Sequence, residues 1–252
     1  MLIPSLQIVK EALASVKANY KVLLKTMSWL FGVAILLIIL NIVDRQTFFA
    51  YINYTFPIYL ILTALSFVFG LWTQIVLMRL INASLTKEAI DNKTLQQNSW
   101  RDTVPFFWVS LLTGLIIFGG MILLIVPGLI FSVWYFFSIY AFGIDGVRGY
   151  SALQKSKDLV QGRFWPVVWR VIVANVFYGL VLVVLIGVPT LIIGYFVKFS
   201  GFNPTLSTGP WWYEALQSLM AIITLPLNAA LWVILYKNLK DTPINKITPP
   251  TV

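Results

Sequence analysis

The chain has 252 residues, 59% of them hydrophobic and 11% charged, with a net charge of +9 and a mean hydropathy of +0.86. A soluble domain dresses its surface with about a quarter of its residues charged, so the composition excludes an ordinary soluble fold. With neither Cys nor His, the chain also excludes disulfides, thiol chemistry, Cys/His zinc sites, imidazole bases and haem held by those ligands.

The N-terminal stretch is basic and partly amphipathic. Leu6, Val9, Leu13, Val16 and Tyr20 recur at helical spacing, with Lys10, Lys17 and Lys21 on other faces. About 25 residues precede the first apolar run and no small-residue cleavage site follows it, so a retained anchor is expected rather than a signal peptide. The first span is expected over residues 27–43. A short outer loop with Asp44, Arg45 and the Asn53-Tyr54-Thr55 triplet leads to Pro57, and residues 58–80 form the second. That triplet fits a glycosylation acceptor, though a chance match is the simpler explanation.

The third span covers residues 105–126. Pro127 and Gly128 are expected to break the helix and turn the chain into a fourth span over 129–142. This fourth span is short against the ~20 residues a bilayer needs, and local thinning would accommodate it. Residues 166–197 have the opposite problem, since one helix of that length would reach about 48 Å against a core of ~30 Å. Gly187-Val188-Pro189 is the natural break. Residues 166–186 then form the fifth span, and 190–197 a kinked extension running to Lys198 and a Gly/Pro-rich stretch over 201–210. The sixth span covers residues 212–236 and contains Pro226. Trp211 and Trp212 belong to an outer aromatic belt; Trp29, Trp100, Trp108, Trp165 and Trp169 belong to an inner one.

Charge sets the orientation. Lys10, Lys17, Lys21 and Lys25 precede the first span. Arg79, Lys87, Lys93 and Arg101 follow the second, and Arg148, Lys155, Lys157, Arg163 and Arg170 follow the fourth. Lys237, Lys240 and Lys246 close the chain, and only Arg45 and Lys198 fall in the other gaps. An excess of Lys and Arg marks cytoplasmic loops. The expectation is an all-α bundle of six spans in the plasma (inner) membrane, with both termini cytoplasmic. Anionic phospholipid headgroups, not nucleic acid, are the expected counter-ions, at roughly 1 kcal/mol per basic residue near the surface. Lys10, Lys17, Lys21, Lys155, Lys157, Arg163 and Arg170 are the candidate headgroup contacts.

A basic stretch precedes each pair of spans, and three units over residues 5–80, 85–143 and 146–238 form a weak internal repeat within one membrane domain. The third stretch, 151–162, is expected to lie along the inner leaflet, held there by Leu153, Leu159, Val160 and Phe164.

Little here points to catalysis. All nine acidic residues lie outside the apolar cores. The polar residues within them, Gln74, Thr113, Asn175, Thr224 and Asn228, are neutral, and helix–helix hydrogen bonding accounts for them. Gly143-Ile144-Asp145-Gly146 has the look of an intramembrane aspartyl protease site, but such an enzyme needs a second carboxylate. A turn closing the fourth helix explains it better. No Gly-x-Ser-x-Gly elbow and no Gly-Lys-Ser/Thr loop occurs. The expectation is no enzyme, no metal and no cofactor. The expected function is a scaffold or accessory protein engaging anionic lipid and a membrane-protein partner or a second copy of itself. The alternative is a passive transporter or conduit for a lipid-like amphiphile.

Two stretches carry a family resemblance. Val126-Pro127-Gly128-Leu129-Ile130-Phe131, with the aromatic run to Tyr140, is followed by Ala152-Leu153-Gln154-Lys155-Ser156-Lys157-Asp158-Leu159-Val160-Gln161-Gly162-Arg163-Phe164-Trp165. Together they resemble the bacterial membrane domain attached to some glycerophosphoryl diester phosphodiesterases, and the related stand-alone six-span proteins. Leu235-Tyr236-Lys237-Asn238-Leu239-Lys240 is similar to the family's Tyr-x-Asp-Leu-Arg close, with Asn and Lys in place of Asp and Arg. The resemblance runs from about Trp100 onward and implies the membrane architecture alone. The family's phosphodiesterase activity belongs to a separate α/β barrel with His ligands, and this chain has no His.

Overall fold

The computed structural model describes residues 2–88, 91–197 and 211–242. All regular structure among them is helical: α1 (Ser5–Thr86), α2 (Asn92–Arg101), α3 (Thr103–Leu123), α4 (Ile125–Tyr135), α5 (Ser138–Asp145), α6 (Tyr150–Val160), α7 (Phe164–Leu182), α8 (Val188–Val197) and α9 (Trp211–Asp241). Among these residues five stretches are long and apolar enough to cross a membrane: Leu60–Thr86, Thr103–Leu123, Ile125–Asp145, Phe164–Ile192 and Ala215–Asp241. Lys198, the stretch 201–210 and Lys246 lie outside the described residues. So do the side chains of Asp44, Arg45, Asn53, Tyr54, Thr55, Trp211, Trp212 and Glu214, and most of those in the expected first span.

Helical backbone is continuous along α1, yet α1 is not a straight rod. The Asn19 amide donates to Ser84 Oγ at 2.6 Å, whereas 65 residues of straight helix would hold them roughly 98 Å apart. Trp29 Nε1 donates to Thr73 Oγ1 at 3.2 Å, and the Trp29 ring stacks against Phe69 and Trp72. The chain therefore doubles back between Trp29 and Phe69, and the midpoints of these pairs fall near residue 50. Of the two arms, the second contains a stretch among the described residues, Leu60–Thr86, that is long and apolar enough to cross a membrane. The expected loop over residues 44–56 is helical backbone instead.

The turn into the fourth span also differs from expectation. Leu124 is the extended residue between α3 and α4 (φ −163°, ψ 146°), and Pro127 and Gly128 lie inside the first turn of α4. Pro is tolerated there because the first N–H groups of a helix have no intrahelical partner to lose. Gly128 is needed for proximity rather than for a break: a Cβ there would sit 2.8 Å from Met121 Cα and backbone N. Small residues allow such close backbone approach between membrane helices. The apolar stretch here thus starts earlier than expected and has 21 residues, Ile125–Asp145, long and apolar enough to cross a membrane without help from its neighbours.

Pro189 does mark an irregularity. A π-helical turn, Val183–Gly187, joins α7 to α8, and the Val188 N–H donates to Val183 O. Pro189 has no N–H and would clash with the carbonyl one turn back. The wider turn accommodates both effects without ending the helix.

The core is concentrated toward one end of the bundle. Ile8, Ala12, Leu23 and Met27 from the first arm of α1 meet Ile75, Met78 and Ile81 from the second, with Phe106, Phe137, Phe142, Ala230, Val233 and Tyr236. The opposite ends of α3, α4, α7 and α8, with the π turn between the last two, expose Phe118, Leu123, Ile125, Leu180, Val184 and Leu191. An apolar surface of that extent suits contact with hydrocarbon or with another apolar surface.

Candidate functional site at the basic end

The described parts of the four basic clusters, far apart in the chain, meet at the end of the bundle where the core is thickest. Side-chain contacts tie them together. The Arg170 guanidinium donates to the carbonyls of Leu2 and Ile3, and the Ile3 N–H donates to Asn238 Oδ1 at 3.3 Å. Arg163, held between α6 and α7, donates to the carbonyl oxygens of Leu239 and Thr242. Burial, and then the nearby positive charge of Arg170, push the Arg163 guanidinium below its ordinary value.

Asp145 is the centre of one ion cluster. It closes α5, and Gly146 takes the left-handed conformation (φ 69°) that ends the helix. Its carboxylate accepts from Lys155 Nζ at 2.5 Å, Lys240 Nζ at 2.7 Å and Tyr236 Oη at 2.5 Å. The Asp145 side chain is only 9% exposed, so it clamps α5, α6 and α9 together. The turn expected from Gly143-Ile144-Asp145-Gly146 is present. The clamp was invisible because its partners lie 10, 91 and 95 residues away.

Asp102 is the centre of a second. It precedes α3 and accepts from Arg79 at 2.5 Å through one oxygen and from Arg148 at 2.8 Å through the other. Arg79 also donates to Gly143 O at 3.1 Å and Ser99 Oγ at 3.4 Å. Beside this cluster is an open polar cavity of about 770 Å³, bordered by Arg79, Glu88, Asp91, Arg101, Asp102 and Arg148. Asp91 caps α2, accepting from the N–H groups of Lys93 and Thr94 and from the Thr94 hydroxyl. These bonds, that from the Thr94 hydroxyl foremost, hold its carboxyl below the usual range.

The headgroup candidates divide into two sets. Lys155, Arg163 and Arg170 are engaged with protein groups, and Lys157 sits 4.9 Å from the centre of the Trp134 ring. Lys10, Lys17 and Lys21 remain exposed on the first arm of α1, Lys21 Nζ lying 6.0 Å from the centre of the neighbouring Tyr20 ring. Contrary to the expectation that they occupy other faces, they alternate along one stripe with Leu6, Leu13 and Tyr20, which are 72%, 46% and 50% exposed, while Ile8, Ala12 and Leu23 on the other side are buried. The helix α6 behaves differently from expectation. Leu153 and Val160 are buried, and Ser156 Oγ donates to Trp134 O at 2.6 Å. Its apolar face is covered by protein, because α3, α4, α5 and α9 pack on it.

Of the neutral polar residues in the apolar stretches, Thr113 pairs with Ser138 at 2.6 Å and Thr224 with Tyr178 at 3.2 Å, both between helices. Asn175 bonds to Val171 O in its own helix. Gln74 borders a second, mostly apolar cavity of about 440 Å³ among Leu30, Phe67, Phe106 and Leu225. Among the described residues there is no cluster of three metal-ligating side chains. Compared with protein-family models, with curated proteins and with solved structures, the chain gives no match.

Proposed function

We propose that this is a non-enzymatic, six-span plasma-membrane protein with cytoplasmic termini, a scaffold or accessory component that engages anionic phospholipid at its basic end. One observation carries the reading. The first arm of α1 buries one face in the bundle and presents an exposed Leu6–Lys10–Leu13–Lys17–Tyr20 stripe on the other. A helix with apolar footholds between lysines matches a bilayer interface, where side chains enter the acyl boundary and ammonium groups meet phosphates. The gathering of the four basic clusters at one end supports the same orientation. The likeness to the phosphodiesterase-linked membrane domain is part of this reading and supplies architecture only.

Native mass spectrometry of the chain from native-lipid particles tests it. Anionic phospholipid is expected to be enriched over the surrounding bilayer, and K10Q/K17Q/K21Q is expected to abolish the enrichment. Equal lipid composition in both proteins overturns the proposal. A second reading, a passive conduit for an amphiphile, is favoured by the apolar cavity beside Gln74. Exchange of a fluorescent lipid across reconstituted vesicles would support it.

A further inference from the structure

We infer that the cavity beside Asp102 is a binding site for a phosphate group, with Arg101 and Arg148 as its ligands. The inference rests on the membrane placement proposed above and names a second, more specific contact than the lysine stripe.

Formal charge does not decide the matter, since three guanidinium groups and three carboxylates border the cavity. Unused hydrogen-bonding capacity does. Each Asp102 oxygen already holds a guanidinium, and both Asp91 oxygens are taken up in capping α2. Two of the three carboxylates are therefore committed to the protein. The donors are not. A guanidinium carries five N–H groups. Arg148 uses one of them, on Asp102, and its side chain is 67% exposed. Arg101 is exposed at the end of α2 and makes no hydrogen bond or ion pair among the described residues. Asp102 fixes Arg148 at the cavity, so part of its ordering cost is met before a ligand arrives.

Two planar donor forks facing one cavity suit a tetrahedral oxyanion, whose several acceptors can be gripped bidentately. Trp100, half exposed next to Arg101, stacks with Phe69 and Trp72, an aromatic group of the kind that sits at headgroup level. The phosphate can therefore come from a lipid headgroup or from a free phosphate.

The full chain in nonionic detergent is titrated calorimetrically with dihexanoyl phosphatidate and, separately, with inorganic phosphate. Saturable one-site binding is expected. R101Q should weaken it by about tenfold, the usual scale for a lost charge-assisted bond, and R101Q/R148Q should weaken it further. R101K should recover only part of the loss, because an ammonium lacks the fork. Arg101 holds nothing in place, so R101Q is expected to elute and melt like the parent chain. Binding of both probes assigns a free phosphate site, and binding of phosphatidate alone assigns a headgroup site; either supports the inference. No saturable binding, or R101Q binding as tightly as the parent, overturns it. The lysine stripe is read separately. If K10Q/K17Q/K21Q loses lipid enrichment while R101Q changes nothing, the cavity inference fails and the wider proposal stands.

Discussion

Glycine and aspartate each show how one residue acts beyond its local conformation. A Cβ at Gly128 meets Met121 backbone atoms at 2.8 Å, whereas one at Gly143 meets the Met78 sulfur at 2.7 Å. Backbone of a packed helix cannot step aside, but the end of a methionine side chain can. Gly128→Ala is therefore expected to cost about 1–3 kcal/mol, the range for overpacking, and Gly143→Ala distinctly less. Thermal unfolding in detergent ranks the two, and equal melting shifts would show that α3 and α4 separate freely. At Asp145 the effect is electrostatic. Asp145→Asn leaves Lys155 and Lys240 without their shared counter-ion and loosens the joint between α5, α6 and α9. Both ammonium groups retain partial solvent access, which lowers the penalty below that of a fully buried pair. A loss of about 1–3 kcal/mol is expected, against a negligible change for the exposed Asp158→Asn.

At the scale of elements, similar amphipathic patterns end in different environments. The stretch before α7 and the stretch opening α1 both alternate apolar and basic residues. In α6 the apolar face is spent on protein contacts, and in the first arm of α1 a second apolar stripe remains outside. Lys155→Gln and Lys157→Gln together are accordingly expected to leave anionic-lipid enrichment unchanged, whereas the Lys10, Lys17 and Lys21 changes remove it. Native mass spectrometry of both variants separates the two helices, and loss of lipid in the α6 variant would contradict the assignment. Periodicity detects an amphipathic helix but says nothing of what covers its face. The same limit explains Pro127 and Pro189, which read alike as breakers. One falls where helical N–H groups have no partner, and the other falls mid-helix and is absorbed by a π turn.

At the scale of the molecule, tight packing at one end and exposed apolar helices toward the other give the bundle a clear polarity. Single cysteines near Lys17, Lys93 and Lys157 are expected to stay unlabelled by an impermeant thiol reagent in intact cells, and those near Asp44 and Gly201 to react. Labelling near Lys157 from outside would overturn the proposed six-span topology. The acidic groups Asp102 and Asp145 lie at the ends of their apolar stretches and are paired, so neither stands ready to carry a proton across. Any exchange of amphiphile by reconstituted vesicles is expected to be indifferent to an imposed proton gradient. Gradient-driven accumulation would make Asp145 a coupling group.

Composition and charge by themselves determined that the chain is helical and apolar enough for a membrane, and gathered its Lys and Arg into four groups. Those properties are sums over local sequence: hydrocarbon tolerates only backbones that satisfy their own hydrogen bonds, and hydropathy is read directly from side chains. The tertiary structure decided which of those cations are free. Lys155, Arg163 and Arg170 read like Lys10, Lys17 and Lys21 in the sequence, yet the first is consumed by Asp145, the second by carbonyls near the C-terminus and the third by carbonyls near the N-terminus. The cavity of Arg101 and Arg148 was equally hidden, since Asp102 draws in Arg148 from 46 residues away. Whether a charge is paired or available depends on distances in space, and these are set only once the helices have packed.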